Sequence, residues 1–172
     1  MDTGKLLNIN LIVLLILAVF SLVFTSCGKE ESSTDQPATI SASAVINGAF
    51  TSLPETKLEI ILQDGQVINR VTLTRFAGTR IVLRIPGTSR ATYELNPGLN
   101  AIPGATLSDP QQRNYVTQSG RVTVSDYFNR DGFFSISGAF EFRGELFIND
   151  TTTFEVNVTN GGFVNVNNRS IQ

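Results

Sequence analysis

From Ala38 onward the chain alternates apolar and polar residues with a period of two, and it breaks the alternation at Asn-Gly and Asp-Gly pairs. Ile40, Ala42, Ala44 and Ile46 fall on one side of such a run, Ser41, Ser43 and Val45 on the other, and the run closes at Asn47-Gly48. Leu58, Ile60 and Leu62 repeat the pattern before Asp64-Gly65; Val67, Val71 and Leu73 follow, then Ile81, Leu83 and Ile85 before Pro86-Gly87. The second half continues with Val122 and Val124 before Asp131-Gly132, then Phe134, Ile136, Gly138, Phe140 and Phe142, then Phe154, Val156 and Val158, then Val164 and Val166. An apolar residue at every second position marks a half-buried strand, and a two-residue Asn-Gly or Asp-Gly link marks a tight hairpin whose central residues both need positive φ. No 3.6-residue apolar stripe occurs after Cys27. The 12 Phe and 14 Gly suit aromatic-rich strands joined by tight turns. About 130 patterned residues suffice to bury one two-layer core. The expected fold is all-β, an antiparallel β-sandwich or flattened barrel of about nine or ten strands formed by residues 38–172 as a single domain. Alternation does not separate the two closures, because each buries one face of every strand.

One interval departs from the pattern. Residues 98–114 are rich in Pro and Gly and show no alternation. They are expected to form a flap over one end of the core, since long ordered loops cover or bind something.

The first 26 residues follow a different rule. Lys5 and the free amino group precede an apolar run from Leu11 to Phe24, shorter than the roughly 20 residues that span a bilayer, and the run ends in Thr25 and Ser26 before Cys27. Phe24-Thr25-Ser26-Cys27 resembles the lipobox of bacterial lipoproteins, with Phe24 where Leu is usual. That resemblance implies a signal peptide over residues 1–26 and a lipidated Cys27 as the new N-terminus. Two or three acyl chains anchor a protein stably where one does not, at about 0.8 kcal/mol per buried methylene. Lys29, Glu30 and Glu31 resemble the surface-export signal of Bacteroidota lipoproteins, which implies an outer-membrane lipoprotein displayed at the cell surface; a periplasm-facing lipoprotein is the alternative. Residues 27–37 then form a polar tether, with a reach on the order of 20 Å.

Five segments in order also resemble one family. They are Ile46-Asn47-Gly48-Ala49-Phe50, Ala91-Thr92-Tyr93-Glu94-Leu95, Ser119-Gly120-Arg121-Val122-Thr123-Val124, Ile136-Ser137-Gly138-Ala139-Phe140-Glu141-Phe142 and Val158-Thr159-Asn160-Gly161-Gly162-Phe163. Together they resemble small Bacteroidota lipoproteins carrying domain of unknown function 6252, over roughly residues 38 to 168. The resemblance implies location and a β fold, and brings neither an activity nor site residues.

Composition removes much chemistry. With no His and a single Cys, the chain lacks imidazole bases, His-based metal sites, a Cys cluster and an intrachain disulfide. No P-loop, Ser-x-x-Lys or Gly-x-Ser-x-Gly spacing occurs, and the run from Asp126 to Gly132 places Arg130 among its oxygen donors without EF-hand spacing, so it is expected to be a hairpin turn. Glu141, Glu145 and Glu155 are the acids nearest to a glycosidase pair, but Glu141 alternates away from Phe140 and Phe142 and is expected to face solvent. No catalytic residue, metal or cofactor is expected. A formal net charge of -2 gives no footprint for nucleic acid.

Charge is nevertheless uneven. Residues 66–93 hold five arginines and no acid in a chain that is acidic elsewhere. Arg70, Arg80 and Arg84 fall on the face opposite the apolar set and form a candidate strip for an acidic glycan or lipopolysaccharide, since guanidinium forks suit carboxylate, sulfate and phosphate. The competing expectation is cross-strand pairing with Glu55, Glu59 and Glu94. Asp150-Thr151-Thr152 resembles a Bacteroidota O-glycosylation motif, which implies a sugar on Thr151. The expected function is that of a non-enzymatic, lipid-anchored cell-envelope protein that binds a ligand at the surface. The alternatives are an accessory subunit docking on another outer-membrane protein and, behind it, a carboxylate-based glycan hydrolase.

Overall fold

The structure is a computed structural model that describes residues 41–149 and 152–169. The residues are strand for most of their length: β1 Ser41–Ile46, β2 Ala49–Ser52, β3 Glu55–Gln63, β4 Gln66–Thr74, β5 Arg80–Pro86, β6 Ala91–Glu94, β7 Gly104–Ser108, β8 Asn114–Arg130, β9 Phe133–Asn149 and β10 Thr152–Asn167. No helix occurs among the described residues. The hairpin signals act as turns: Asn47-Gly48, Asp64-Gly65 and Asp131-Gly132 all have both residues at positive φ, which matches the right-handed twist of the strands they join.

All ten strands belong to one antiparallel sheet, ordered β2-β1-β10-β9-β8-β7-β5-β4-β3, with β6 paired to the middle of β8. The sheet curls into a half-barrel, so the concave face closes on itself and β3 packs toward β10, β1 and β9. Curvature comes from bulges, which add local twist: register shifts fall between Ser43 and Val45, Thr117 and Ser119, Val124 and Asp126, Val158 and Gly161, and Phe163 and Val166. The two margins of the sheet, β2 and β3, follow each other in the chain with only Leu53 and Pro54 between them. Leu53 is fully buried and ties that corner to the core.

The concave face is filled by alternate residues of every long strand, among them Leu58, Val71, Leu73, Ile81, Leu83, Val122, Phe140, Phe142, Val158 and Phe163. Three phenylalanines there sit directly opposite glycines: Phe140 on Gly161, Phe163 on Gly138 and Phe142 on Gly120. A Cβ on Gly161 would stand 2.5 Å from the Phe140 ring, and one on Gly138 would stand 2.8 Å from the Phe163 ring. The rings therefore occupy the volume that the glycines leave, which is how strong bending and close packing coexist here.

Two expectations need correction. Residues 98–114 are not one flap: Gly104–Ser108 is β7, a strand inside the sheet between β5 and β8. Gly104, Ala105, Thr106 and Leu107 are all buried, so the strand is covered on both faces and has no alternation to show. Leu62, assigned to the core face with Leu58 and Ile60, is 74% exposed at the end of β3.

Candidate functional site

Strand pairing decides which arginines meet. Arg70 on β4 lies directly opposite Arg84 on β5 and, on its other side, opposite Glu59 on β3. All three point to the convex face. Arg80, four residues from Arg84 on the same face, is about 13 Å away along the strand. It lines a separate depression with Thr74, Ser108, Asp109 and Asn114. The strip is thus a pair, Arg70 with Arg84, plus a distant third member.

Like charges directly across two strands oppose each other, so the pair needs compensation. Glu59 supplies it for one member only: its carboxylate accepts from Arg70 Nε at 2.8 Å and from Lys57 Nζ at 3.0 Å. Those bonds, Lys57's first and Arg70's second, hold the Glu59 carboxyl below the usual carboxylate range. Glu55 lies opposite Thr74 and Glu94 opposite Arg121, so neither reaches the pair. Arg84 has no acidic partner among the described residues, and its Nη1 is buried without any hydrogen-bond partner. Burial, with the neighbouring Arg70 charge adding to it, pulls the Arg84 guanidinium below its ordinary value.

The surroundings explain the burial. On its other flank Arg84 is opposite Gly104, and a Cβ on Gly104 would come within 2.3 Å of the Ala101 carbonyl oxygen. The segment 96–103 therefore folds back against the start of β7 beside Arg84. It is held by hydrogen bonds from Asn96 N–H to the Pro103 carbonyl at 2.9 Å and from Asn96 Nδ2 to the Ile102 carbonyl at 3.1 Å. The result is a cleft of about 340 Å³ lined by Ile61, Gln63, Ile68, Arg70, Arg84 and Asn100. Ile68 is 3% exposed although it sits on the convex face, so the cleft has an apolar floor beneath two guanidinium groups and two amides.

Chemically, this arrangement can hold an anion. The expected acids are occupied elsewhere: Glu141 faces outward and pairs with Arg121 at 2.9 Å, while Arg143 binds both Glu145, at 3.0 Å, and Glu155, at 2.5 Å. Glu145 and Glu155 are direct cross-strand neighbours with Arg143 between their charges. Asp126 pairs with Arg90 at 2.5 Å, and Asp131 belongs to the β8–β9 turn. Among the described residues no group of three or more carboxylate or thiol side chains is placed to hold a metal. Cys27, Lys29, Glu30, Glu31 and Thr151 lie outside the described residues.

Ile61, Gln63, Ile68 and Asn100 complete the cleft and were not singled out from the sequence. Ile61 and Ile68 carried a signal, being apolar residues at outward positions two after Glu59 and two before Arg70; Gln63 and Asn100 carried none.

These features define a class: a single-sheet, curled antiparallel β domain with a polar cleft on its convex face. The chain belongs to the family described as Domain of unknown function (DUF6252), which matches residues 61–167, more than half of its length. All six residues lining the cleft fall inside the matched span, whereas Glu59 precedes it. Neither the curated proteins nor the solved structures return a match.

Proposed function

We propose that this chain is a lipid-anchored cell-envelope protein, displayed at the outer surface, that binds an acidic glycan through the convex face of β3, β4 and β5. The observation that carries the proposal is the surplus of guanidinium over carboxylate there: Arg70 and Arg84 stand side by side, and the one nearby acid, Glu59, is already shared by Arg70 and Lys57. A protein selected for stability alone gains nothing from a half-buried arginine without a partner, because desolvation of the charge is uncompensated. Anchoring through Cys27 is supported by the lipobox-like sequence, and display by Lys29, Glu30 and Glu31. The proposed role is binding, without a chemical step.

Two measurements test it. Full-length protein should be retained on immobilised polygalacturonate at low salt and released as ionic strength rises, with retention lost in an Arg70→Ala, Arg84→Ala double variant. Equal retention of that variant would refute the assignment to this face. Protease added to intact cells should digest the wild type and spare Cys27→Ala and a Lys29, Glu30, Glu31 triple-alanine variant. Protection of the wild type would instead place it facing the periplasm.

A second reading, docking on another outer-membrane protein, is favoured by one feature. β3 is nine residues long and terminates the sheet, so its outer N–H and C=O groups have no strand partner among the described residues and offer a template for strand addition. Co-purification with a membrane protein irrespective of Arg70 and Arg84 would favour that reading.

A further inference from the structure

The cleft beneath residues 96–103 is more specific than a positive face. Arg84 lines the cleft, and no carboxylate among the described residues pairs with it, so its charge is uncompensated there. A half-buried cation without a countercharge carries an uncompensated desolvation cost, so an oxyanion seated in the cleft gains a charge-assisted bond and supplies the missing countercharge together. Arg70 stands next to Arg84 but has its Nε committed to Glu59, which fixes its side chain as a second, oriented donor. Gln63 and Asn100 bring amide groups that both donate and accept, the complement of hydroxyls. Ile61 and Ile68 form apolar walls of the kind that the C–H face of a sugar ring covers. At about 340 Å³ the volume lies at the small end of ligand clefts, which run from about 300 to 1,000 Å³, enough for one sugar residue and not for a run of them.

We infer that this cleft is a subsite for one singly charged sugar residue, whose oxyanion is received by Arg84 with Arg70 as second donor, and whose hydroxyls are read by Gln63 and Asn100. The inference rests on the acidic-glycan function and adds to it the location and the size of the unit recognised. A uronic acid carboxylate and a sulfate half-ester share the necessary chemistry. Arg80 takes no part in this unit, since it opens onto the other depression.

The test uses full-length, isotope-labelled chain in neutral detergent, titrated separately with sodium glucuronate and with N-acetylglucosamine 6-sulfate, and followed by NMR at the arginine Nε–H signals and at the amides of residues 61–70 and 96–103. Saturable shifts at Arg84 and Asn100 with either probe are expected, and whichever probe binds more tightly identifies the group. Arg84→Gln should weaken binding by about tenfold or more, Arg84→Lys should not restore it, and Arg80→Ala should leave it within about twofold. Arg84→Met supplies the control for folding. It should abolish binding yet raise the melting midpoint by about 2–5 °C, because it removes an unpaired buried charge while keeping the stem. Retention on polygalacturonate with no shift in the cleft by either sugar would overturn the subsite and leave the function standing. So would equal losses from Arg80→Ala and Arg84→Gln, or a lower melting midpoint in Arg84→Met. Absence of retention on any acidic polymer would overturn both.

Discussion

The β7–β8 ladder runs from Ser108 and Asn114 to Thr106 and Val116, and just beyond it the Thr117 side chain bonds both backbone groups of Ala105. Its hydroxyl donates to the Ala105 carbonyl and accepts from the Ala105 N–H at 3.1 Å, with the residue fully buried. Thr117→Val keeps the shape and deletes both bonds, so it should destabilise the domain by about 1–3 kcal/mol in urea unfolding, with Thr117→Ser costing less. Asp109 has a similar task in the β7–β8 connection: it accepts from the backbone N–H groups of Gln111 and Arg113, each at 2.9 Å, and from the Arg113 guanidinium at 2.6 Å. Burial pushes its carboxyl upward, but the bonds from Arg113 and Gln111 outweigh burial and hold it below its ordinary 3.8. A carboxyl whose folded value is depressed stabilises the fold above the unfolded value, and that contribution disappears as pH falls through the folded one. Asp109→Asn should therefore be less stable than the wild type at pH 7, and the gap should narrow below about pH 3.8, measured as melting midpoint against pH.

The strand elements differ in how openly the sequence declares them. The three turns with Asn47, Asp64 and Asp131 at positive φ were legible because only a few residue types tolerate that conformation. β1, β4 and β5 were legible because one face of each is wet. β7 was hidden for the opposite reason, since Gly104 to Leu107 are covered on both faces and their one polar side chain, Thr106, is itself buried. The arginines were placed on the correct face by alternation, yet the cleft was not legible, because Arg84 is buried by a segment whose position depends on the Gly104 contact and not on any residue near Arg84 in sequence. The phenylalanine–glycine pairs are likewise properties of register. Gly161→Ala should destabilise the β9–β10 pairing by about 1–3 kcal/mol through overlap with the Phe140 ring. Phe140→Leu should recover part of that loss when combined with Gly161→Ala, while costing stability by itself; a double-mutant cycle in urea measures the coupling.

At the scale of the molecule, a half-barrel has what a closed barrel lacks, two edges without a strand partner among the described residues. β2 limits its exposure by being only four residues long. β3 is longer and is protected by charge, with Glu55, Lys57 and Glu59 along its convex side. Replacing Glu55 and Lys57 together by Val should produce concentration-dependent association absent from the wild type, detected by light scattering after size exclusion. Unchanged mass at matched concentrations would mean that the curl alone guards this edge.

The pairing of β1 with β10 also sets an order of events. Among the described strands, the first to leave the ribosome or emerge from a membrane has its long-range partner in the last, so β1 and its short hairpin mate β2 have no neighbour to settle against until the chain is nearly complete. The sheet therefore cannot finish early. The same wiring makes the C-terminal strand a keystone: without β10, both β1 and β9 lose a neighbour, and the hairpin carrying β1 and β2 separates from the remainder of the sheet.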